Sequence, residues 1–297
     1  MRAVTVPRFG GPDAVEITEH PVPVPGPGQV RIKVKAAALN PVDAAMRSGV
    51  FGGEANIGLG FDVAGTVDAA GPGTPWTAGD RVIALATGHH KPLGTHADFV
   101  VLHTDTLAPA PTSLDDVHAA TLPLNTTTAA QALELLALAP GQSLLVTGAA
   151  GGVGAHTVEL AHRQGLKVTG IDSAASEEFL LSRGADHFLA RGQTPEAAAF
   201  DGVLDAARLG ADALAAVRDD GAYAGLWPGS EPHPERGIRV EALSVRADGA
   251  LLTELSHLAE EGVLLARVAR TYPLHDAAEA HARLAEGNLP GRIVLVP

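Results

Sequence analysis

An α/β fold, with a doubly wound parallel sheet set between two stretches of β-structure, is predicted for this 297-residue chain by three observations. Strand-like and helix-like segments alternate from Ser143 to Glu261. A glycine-rich turn, Gly148-Ala149-Ala150-Gly151-Gly152-Val153-Gly154, joins the first strand of that alternation to its first helix. On either side, short apolar runs are broken by proline and glycine, the pattern of short strands and tight turns. The expected division is one discontinuous domain, residues 1–112 and 263–297, interrupted by a second domain over residues 113–262.

From Arg2 to about Leu107 the runs Ala3–Val6, Val15–Thr18, Val30–Ala38, Val63–Ala69, Arg81–Ala86 and His96–Leu102 read as strands. The segment Pro21-Val22-Pro23-Val24-Pro25-Gly26-Pro27-Gly28 is a rigid connector, because its four prolines fix φ and have no N–H to donate. Asn40–Ser48, with Pro41 near its start, is the one helix-like piece here. Ala119–Leu138 is rich in alanine and leucine and free of glycine, which predicts a helix ended by Pro140-Gly141. The alternation then runs Leu144–Thr147, Gly152–Gln164, Lys167–Asp172, Ser176–Arg183, His187–Ala190, Gly202–Asp205, Ala211–Arg218, Ala222–Trp227, Ile238–Val245 and Ala250–Glu261. Arg267–Tyr272, a helix over His275–Ala285 and a strand over Arg292–Val296 return to the earlier style.

Composition narrows the function classes. A net charge of −13 disfavours nucleic acid, which needs basic surface to displace counterions. There is no cysteine, so disulfides, thiol chemistry and the soft ligands of structural zinc are excluded. The 13 histidines lie scattered; His89-His90, His96 and His103 sit among strand and loop signals without metal-ligand spacing, and no metal site is expected. No leader pattern and no apolar run long enough for a bilayer is evident, so a cytoplasmic protein without membrane contact is expected.

The glycine turn has a chemical rationale. Glycines at 151, 152 and 154 let peptide N–H groups approach a pyrophosphate without an intervening Cβ, and the helix beginning there points its positive end at the anion. Ala149 takes the first place of a G-x-G-x-x-G pattern, Gly151 the second and Gly154 the third, with Gly152 and Val153 between. Three glycines alone suit an ordinary turn equally well. The flanking strand, the helix and a second strand ending on Asp172, 23 positions after Ala149, turn the motif into a dinucleotide site. Asp172 is predicted to accept hydrogen bonds from ribose hydroxyls, with Ser173 beside it. Its charge, with Glu177 and Glu178, favours NADH over NADPH, whereas Arg191 after the third strand could pair with a 2′-phosphate.

The segments Asn40-Pro41-Val42-Asp43 with Arg47-Ser48-Gly49, Gly60-Phe61-Asp62-Val63-Ala64-Gly65, Gly79-Asp80-Arg81-Val82, Gly94-Thr95-His96-Ala97, Ala149–Gly154 and Pro290-Gly291-Arg292-Ile293-Val294-Leu295 occur in a familiar order. Together they resemble the medium-chain dehydrogenase/reductase superfamily, in its zinc-independent quinone oxidoreductase branch. The resemblance implies a GroES-like β domain formed from both chain ends, a Rossmann domain, an active site in the cleft between them, NAD(P)H as cofactor and a homodimer. Zinc-dependent relatives hold their metal with cysteine, histidine and cysteine; by motif register those places fall on Asn40, Phe61 and about Leu124, which implies an enzyme without metal.

The resemblance further places Asn40, Asp43 and Thr128 near the nicotinamide as catalytic residues. Taken alone, Asn125-Thr126-Thr127-Thr128 is equally a helix-capping run, and Asp43 a brace for its short helix. Ala45 and His96 stand where quinone reductases often have tyrosine, implying a reshaped pocket. Met46, Phe51, Phe61 and Leu93 are expected to line it, with Trp227 beside the cofactor, and His96 is the expected proton donor because imidazole titrates near neutrality. The implied reaction is hydride transfer from reduced nicotinamide to a quinone or an α,β-unsaturated carbonyl. The alternatives are an enoyl reductase of a specialised biosynthetic intermediate and a coenzyme-binding scaffold or regulator without turnover.

Overall fold

The computed structural model describes residues 1–297. In chain order it begins with β1 (Arg2–Val6), β2 (Glu16–Glu19), β3 (Gln29–Leu39), α1 (Pro41–Ser48), β4 (Ile57–Gly58), β5 (Asp62–Ala70), β6 (Arg81–Leu85), β7 (Phe99–His103), β8 (Leu107–Pro109) and α2 (Asp116–Ala119). It continues with α3 (Pro123–Leu136), β9 (Ser143–Thr147), α4 (Gly152–Arg163), β10 (Lys167–Asp172), α5 (Glu177–Ser182), β11 (His187–Ala190), β12 (Phe200–Asp205), α6 (Ala211–Ala215), β13 (Val217–Gly225) and β14 (Arg239–Ala242). The last elements are α7 (Gly249–Glu260), β15 (Val268–Pro273), α8 (Ala277–Glu286) and β16 (Arg292–Val296). No helix is long and apolar enough to cross a membrane.

The chain forms two units, Met1–Leu124 with Arg246–Pro297, and Asn125–Val245. In the second unit all strand pairs are parallel and the order is β11-β10-β9-β12-β13-β14. Its central strands are apolar on both faces, with Leu144, Leu145, Val146, Val168, Val203 and Leu204 fully buried, as a sheet covered on both sides requires. Strand order reverses between β9 and β12, and α/β sheets bind ligands beyond the carboxyl ends of the strands at such a reversal. There Asp205 ends β12. Its carboxylate accepts from the Thr147 hydroxyl (2.6 Å), the Tyr223 hydroxyl (2.8 Å) and the N–H groups of Leu209 (3.0 Å) and Gly210 (2.8 Å), which fixes the following loop.

In the first unit β3 is the spine. It pairs antiparallel with β5 and β7, and its last residues pair with β16 from the far end of the chain, Leu39 opposite Ile293. The larger sheet has the order β15-β16-β3-β5-β6-β8, with only β15–β16 parallel, and a small sheet has the order β2-β1-β4. Val30, Ile32, Val34, Val63, Val67 and Val82 alternate inward to make its core.

The predicted fold class is therefore the observed one, with two corrections. Residues 113–124 and 246–262 belong to the first unit, not the second. Helix α7 packs on β8, where Ser256 Oγ donates to the Pro109 carbonyl (2.7 Å), and Glu260 accepts from Thr112 Oγ1 (2.7 Å) and the Ser113 N–H (3.0 Å). The helix expected over Ala211–Arg218 is a single turn, because Val217 already enters β13 as a fully buried residue. Replacing Asp205 with alanine strips four donors of their acceptor at once. Asp205→Ala is expected to lose about 1–3 kcal/mol of unfolding free energy, read as a lower urea midpoint. An unchanged midpoint would show that the carboxylate does not hold the loop.

Candidate active site

In the first unit the turn from β3 into α1 and the start of β5 bring a buried polar cluster together. Asn40 is the N-cap of α1, and Asp43, three residues on, closes a capping box by accepting the Asn40 N–H (2.8 Å). The other Asp43 oxygen accepts the Gly60 N–H (2.7 Å). Gly60 has φ +104, and a Cβ there would strike Thr95 and the His96 backbone, so this residue must be glycine for the 94–96 segment to lie against it. Asp62, fully enclosed, accepts from Asn40 Nδ2 (2.7 Å) and from the Leu124 N–H (2.6 Å). Arg292 of β16 donates to the Leu39 carbonyl (2.7 Å) and to Asn40 Oδ1. Burial pushes the Asp62 carboxyl up to about 6, against the opposing pull of Arg292 and of its hydrogen bonds to Asn40 and Leu124.

These contacts revise several expectations. Asn40 and Asp43 are buried with their polar atoms engaged by the protein, so they position the loop and do not present free groups. His96 is also fully enclosed, and its Nε2–H donates to the Ala38 carbonyl (3.1 Å). Burial lowers its pKa, so it is neutral at pH 7 with its one proton committed, which is a poor basis for a proton donor. Met46 is core. Phe51 stacks on His89 with ring centroids 4.0 Å apart, and His89 leans against Phe61 at 6.4 Å, which makes an aromatic wall. Leu93 is half-buried in the same loop, β6 to β7.

In the second unit Gly151 is the N-cap of α4 and no side chain caps that helix. A Cβ on Gly154 would overlap the Gly148 carbonyl oxygen and crowd Ala149, so the turn closes only around glycine. The first-turn N–H groups thus meet no side-chain acceptor, as a pyrophosphate requires, and this turn fits the dinucleotide. Asp172 ends β10, and its carboxylate accepts from the Ala150 N–H (2.8 Å), the Ser173 N–H (2.6 Å) and Arg191 Nη2 (3.2 Å). The acid expected to face ribose hydroxyls therefore also pins the glycine turn, and Arg191 neutralises it. Ser173 Oγ lies 3.0 Å from Ser176 Oγ beside this pair. Thr128 is buried in α3, and Trp227 lies with its ring under the Arg208 guanidinium at 4.9 Å.

The three places where zinc-dependent relatives have ligands hold an amide bonded to Asp62, a phenyl ring and a leucine. No three His, Cys, Asp or Glu side chains converge to hold an ion.

Sequence reasoning passed over Asp62, Lys91 and Arg292. A carboxylate at the head of a largely apolar strand, within the Gly60–Gly65 motif, was the available signal for Asp62, and Arg292 stood in the closing Pro290–Leu295 motif; Lys91 carries none before the fold brings it to Phe61. Asp62 yields a pH prediction. With its folded pKa at about 6, above the ordinary 3.8, the folded chain holds a proton between those values that the unfolded chain has released. Stability therefore falls as pH rises from about 4 to 6, by on the order of 2–3 kcal/mol. Asp62→Asn is expected to flatten that part of the curve in urea titrations at several pH values, and an identical pH slope in both proteins refutes the assignment.

Comparison with known proteins agrees with this geometry. A family model described as zinc-binding dehydrogenase matches residues 177–295, and one described as alcohol dehydrogenase GroES-like domain matches residues 26–112. The chain is 39% identical over 193 residues to a quinone oxidoreductase of Rattus norvegicus, a match covering 62% of this chain and 57% of that protein. The chain thus spans little more than half the length of that relative. It is 31% identical over 315 aligned positions to the chloroplastic NADPH-dependent alkenal/one oxidoreductase of Arabidopsis thaliana, covering 100% of this chain and 80% of that one. The solved quinone oxidoreductase of Coxiella burnetii matches with a TM-score of 0.89 at 27% identity, over 100% of this chain and 99% of that one. A parallel sheet in the doubly wound order, a mixed sheet built from both chain ends, and relatives matching across the full chain lead to one conclusion: the chain belongs to the medium-chain dehydrogenase/reductase superfamily.

Proposed function

We propose that the chain is a zinc-free NAD(P)H-dependent reductase of quinones or α,β-unsaturated carbonyls. The observation that carries this reading is the donor chemistry at the three register places for zinc: Asn40 is hydrogen-bonded to a carboxylate, Phe61 offers only a ring, and residue 124 is leucine. A zinc ion in an alcohol dehydrogenase ionises the alcohol as a Lewis acid, a role that these three residues do not support, whereas an electron-poor acceptor takes hydride without it. Reduced nicotinamide, when bound, supplies that hydride. The residues of this chain bind and orient: Gly151–Gly154 receive the pyrophosphate, and the wall of Phe51, His89 and Phe61 receives a planar acceptor. The relatives named for quinones and for alkenals and alkenones support the same class of acceptor.

The test follows loss of reduced-nicotinamide absorbance with a panel of naphthoquinones and enones, with product identification. Acceptor-dependent oxidation is expected. Tight coenzyme binding without oxidation by any acceptor would instead support the scaffold reading.

For the coenzyme we propose that both forms bind and that NADH is preferred, because Asp172 ends β10 and Glu177 and Glu178 open α5 just after it, which adds negative charge next to the strand end that takes the ribose. Arg191 limits that preference through its ion pair with Asp172. Removing it leaves Asp172 free to repel a 2′-phosphate. Arg191→Ala is accordingly expected to lower kcat/KM for NADPH about 10-fold more than for NADH; equal losses for the two would discard the role.

A further inference from the structure

Lys91 lies in the loop from β6 to β7, where its carbonyl accepts the Gly58 N–H (2.8 Å) and so fixes its main chain. Its Nζ donates to the Ala86 carbonyl (2.8 Å) and stands 4.0 Å from the centroid of the Phe61 ring. Neither buried carboxylate forms an ion pair with it, since Asp43 takes the N–H groups of Asn40 and Gly60, and Asp62 takes Asn40 Nδ2 and the Leu124 N–H. An ammonium has three N–H bonds. One carbonyl and one ring face leave Lys91 a donor beyond what the protein takes up. It stands at the end of the wall formed by Phe51, His89 and Phe61, over the middle one of the three register places.

We propose that Lys91 is the electrophile and proton donor for the reduction: its ammonium binds the carbonyl oxygen of the acceptor and protonates it as hydride arrives at carbon. The inference rests on the reductase reading above. For an α,β-unsaturated carbonyl, the hydride of reduced nicotinamide forms a C–H bond at the β-carbon. The C=C pair shifts toward oxygen to give an enolate, an N–H bond of Lys91 breaks as an O–H bond forms, and the enol tautomerises to the saturated carbonyl. The neutral amine takes its proton back from solvent. Nicotinamide is oxidised by two electrons and the acceptor reduced by two.

The surroundings suit a proton donor working near neutrality. Burial is the main influence lowering Lys91 to about 8, while Asp43 of α1 and Asp62 of β5 pull the other way. The other titratable or charged groups nearby are His89, His90 and His96 of the same loop, Glu54 between α1 and β4, which lines a cavity with His90 and Lys91, and Arg292 of β16, which faces both carboxylates. Because the protonated amine is the active form, activity is lost as pH rises through about 8.

The experiment compares wild type, Lys91→Met and Lys91→Arg, each checked for folding by circular dichroism and for coenzyme binding by fluorescence. Lys91→Met is expected to bind coenzyme normally and to lose about 100-fold or more in kcat. Lys91→Arg retains a fixed cation that cannot release its proton near pH 8, so partial activity without the alkaline limb is expected. A second readout needs no turnover. The chain has four lysines, Lys33, Lys35, Lys91 and Lys167, so a carbon-13 reductively methylated sample gives an assignable NMR titration. The Lys91 signal should titrate near 8 and move when a hydroquinone is added. A Lys91→Met enzyme with wild-type kcat and pH profile, or a Lys91 signal titrating with the other lysines, overturns the proposal. A wild-type enzyme inactive with every quinone and enone defeats the reductase reading, and the role of Lys91 with it.

Discussion

The Asp62 carboxylate is the constraint on which the first unit depends. Its direct hydrogen bonds join residues 40, 62 and 124, and Asn40 extends the set to Arg292, so groups from both chain ends meet at one buried acid. Burying a carboxylate costs several kcal/mol unless donors surround it, and here a side-chain amide, a peptide N–H and a nearby guanidinium do so. The consequence is positional. Asn40 at the entry to α1, Phe61 at the mouth of β5 and the exit of the chain at Leu124 are held in a fixed relation by one side chain.

The same device recurs in the second unit. Asp205 at the end of β12 gathers the N–H groups of Leu209 and Gly210, and Asp172 at the end of β10 gathers those of Ala150 and Ser173. Asp43 does likewise for the Asn40 and Gly60 N–H groups in the first unit. Each acid sits where a strand ends or a helix begins and turns its oxygens to the backbone of an adjoining loop. Loops built this way are fixed through their main chain, leaving neighbouring side chains free to vary.

The strand-helix-strand stretch from Ser143 to Asp172 was legible because hydrophobic periodicity changes there and the glycines stand at the turn. The strand order was not, since it follows from the handedness of crossovers and not from any residue. The placement of α7 was equally hidden: its alanine- and leucine-rich face resembles any helix of the inserted domain, and its ties to the first, through Ser256, Glu260 and the close approach of Gly249 to the Asp105 and Leu107 carbonyls, arise only in the fold. His96 looked like an acid by residue type, but the close approach of Gly60 to the 94–96 backbone encloses it, a tertiary effect with no local signature. Lys91 was invisible for the converse reason: between His90 and Pro92 it reads as an ordinary loop lysine until the fold lays it over Phe61.

The balance of charge explains why such a cluster persists where apolar residues would pack as well. Asp43 and Asp62 carry two negative charges and Lys91 and Arg292 two positive ones, yet none of the four forms a direct carboxylate–cation contact. Replacing a buried ion pair by hydrocarbon is often neutral or stabilising, so stability alone gives no reason to keep these charges. A cation held by a carbonyl and a ring is less quenched than one clasped by a carboxylate. It keeps its field and a donor for a ligand, while the two acids at longer range keep it charged enough to act. The separation of Lys91 from Asp43 and Asp62 is therefore the arrangement expected where a positive charge must meet an anionic oxygen forming on a substrate, and a closer pairing would remove it.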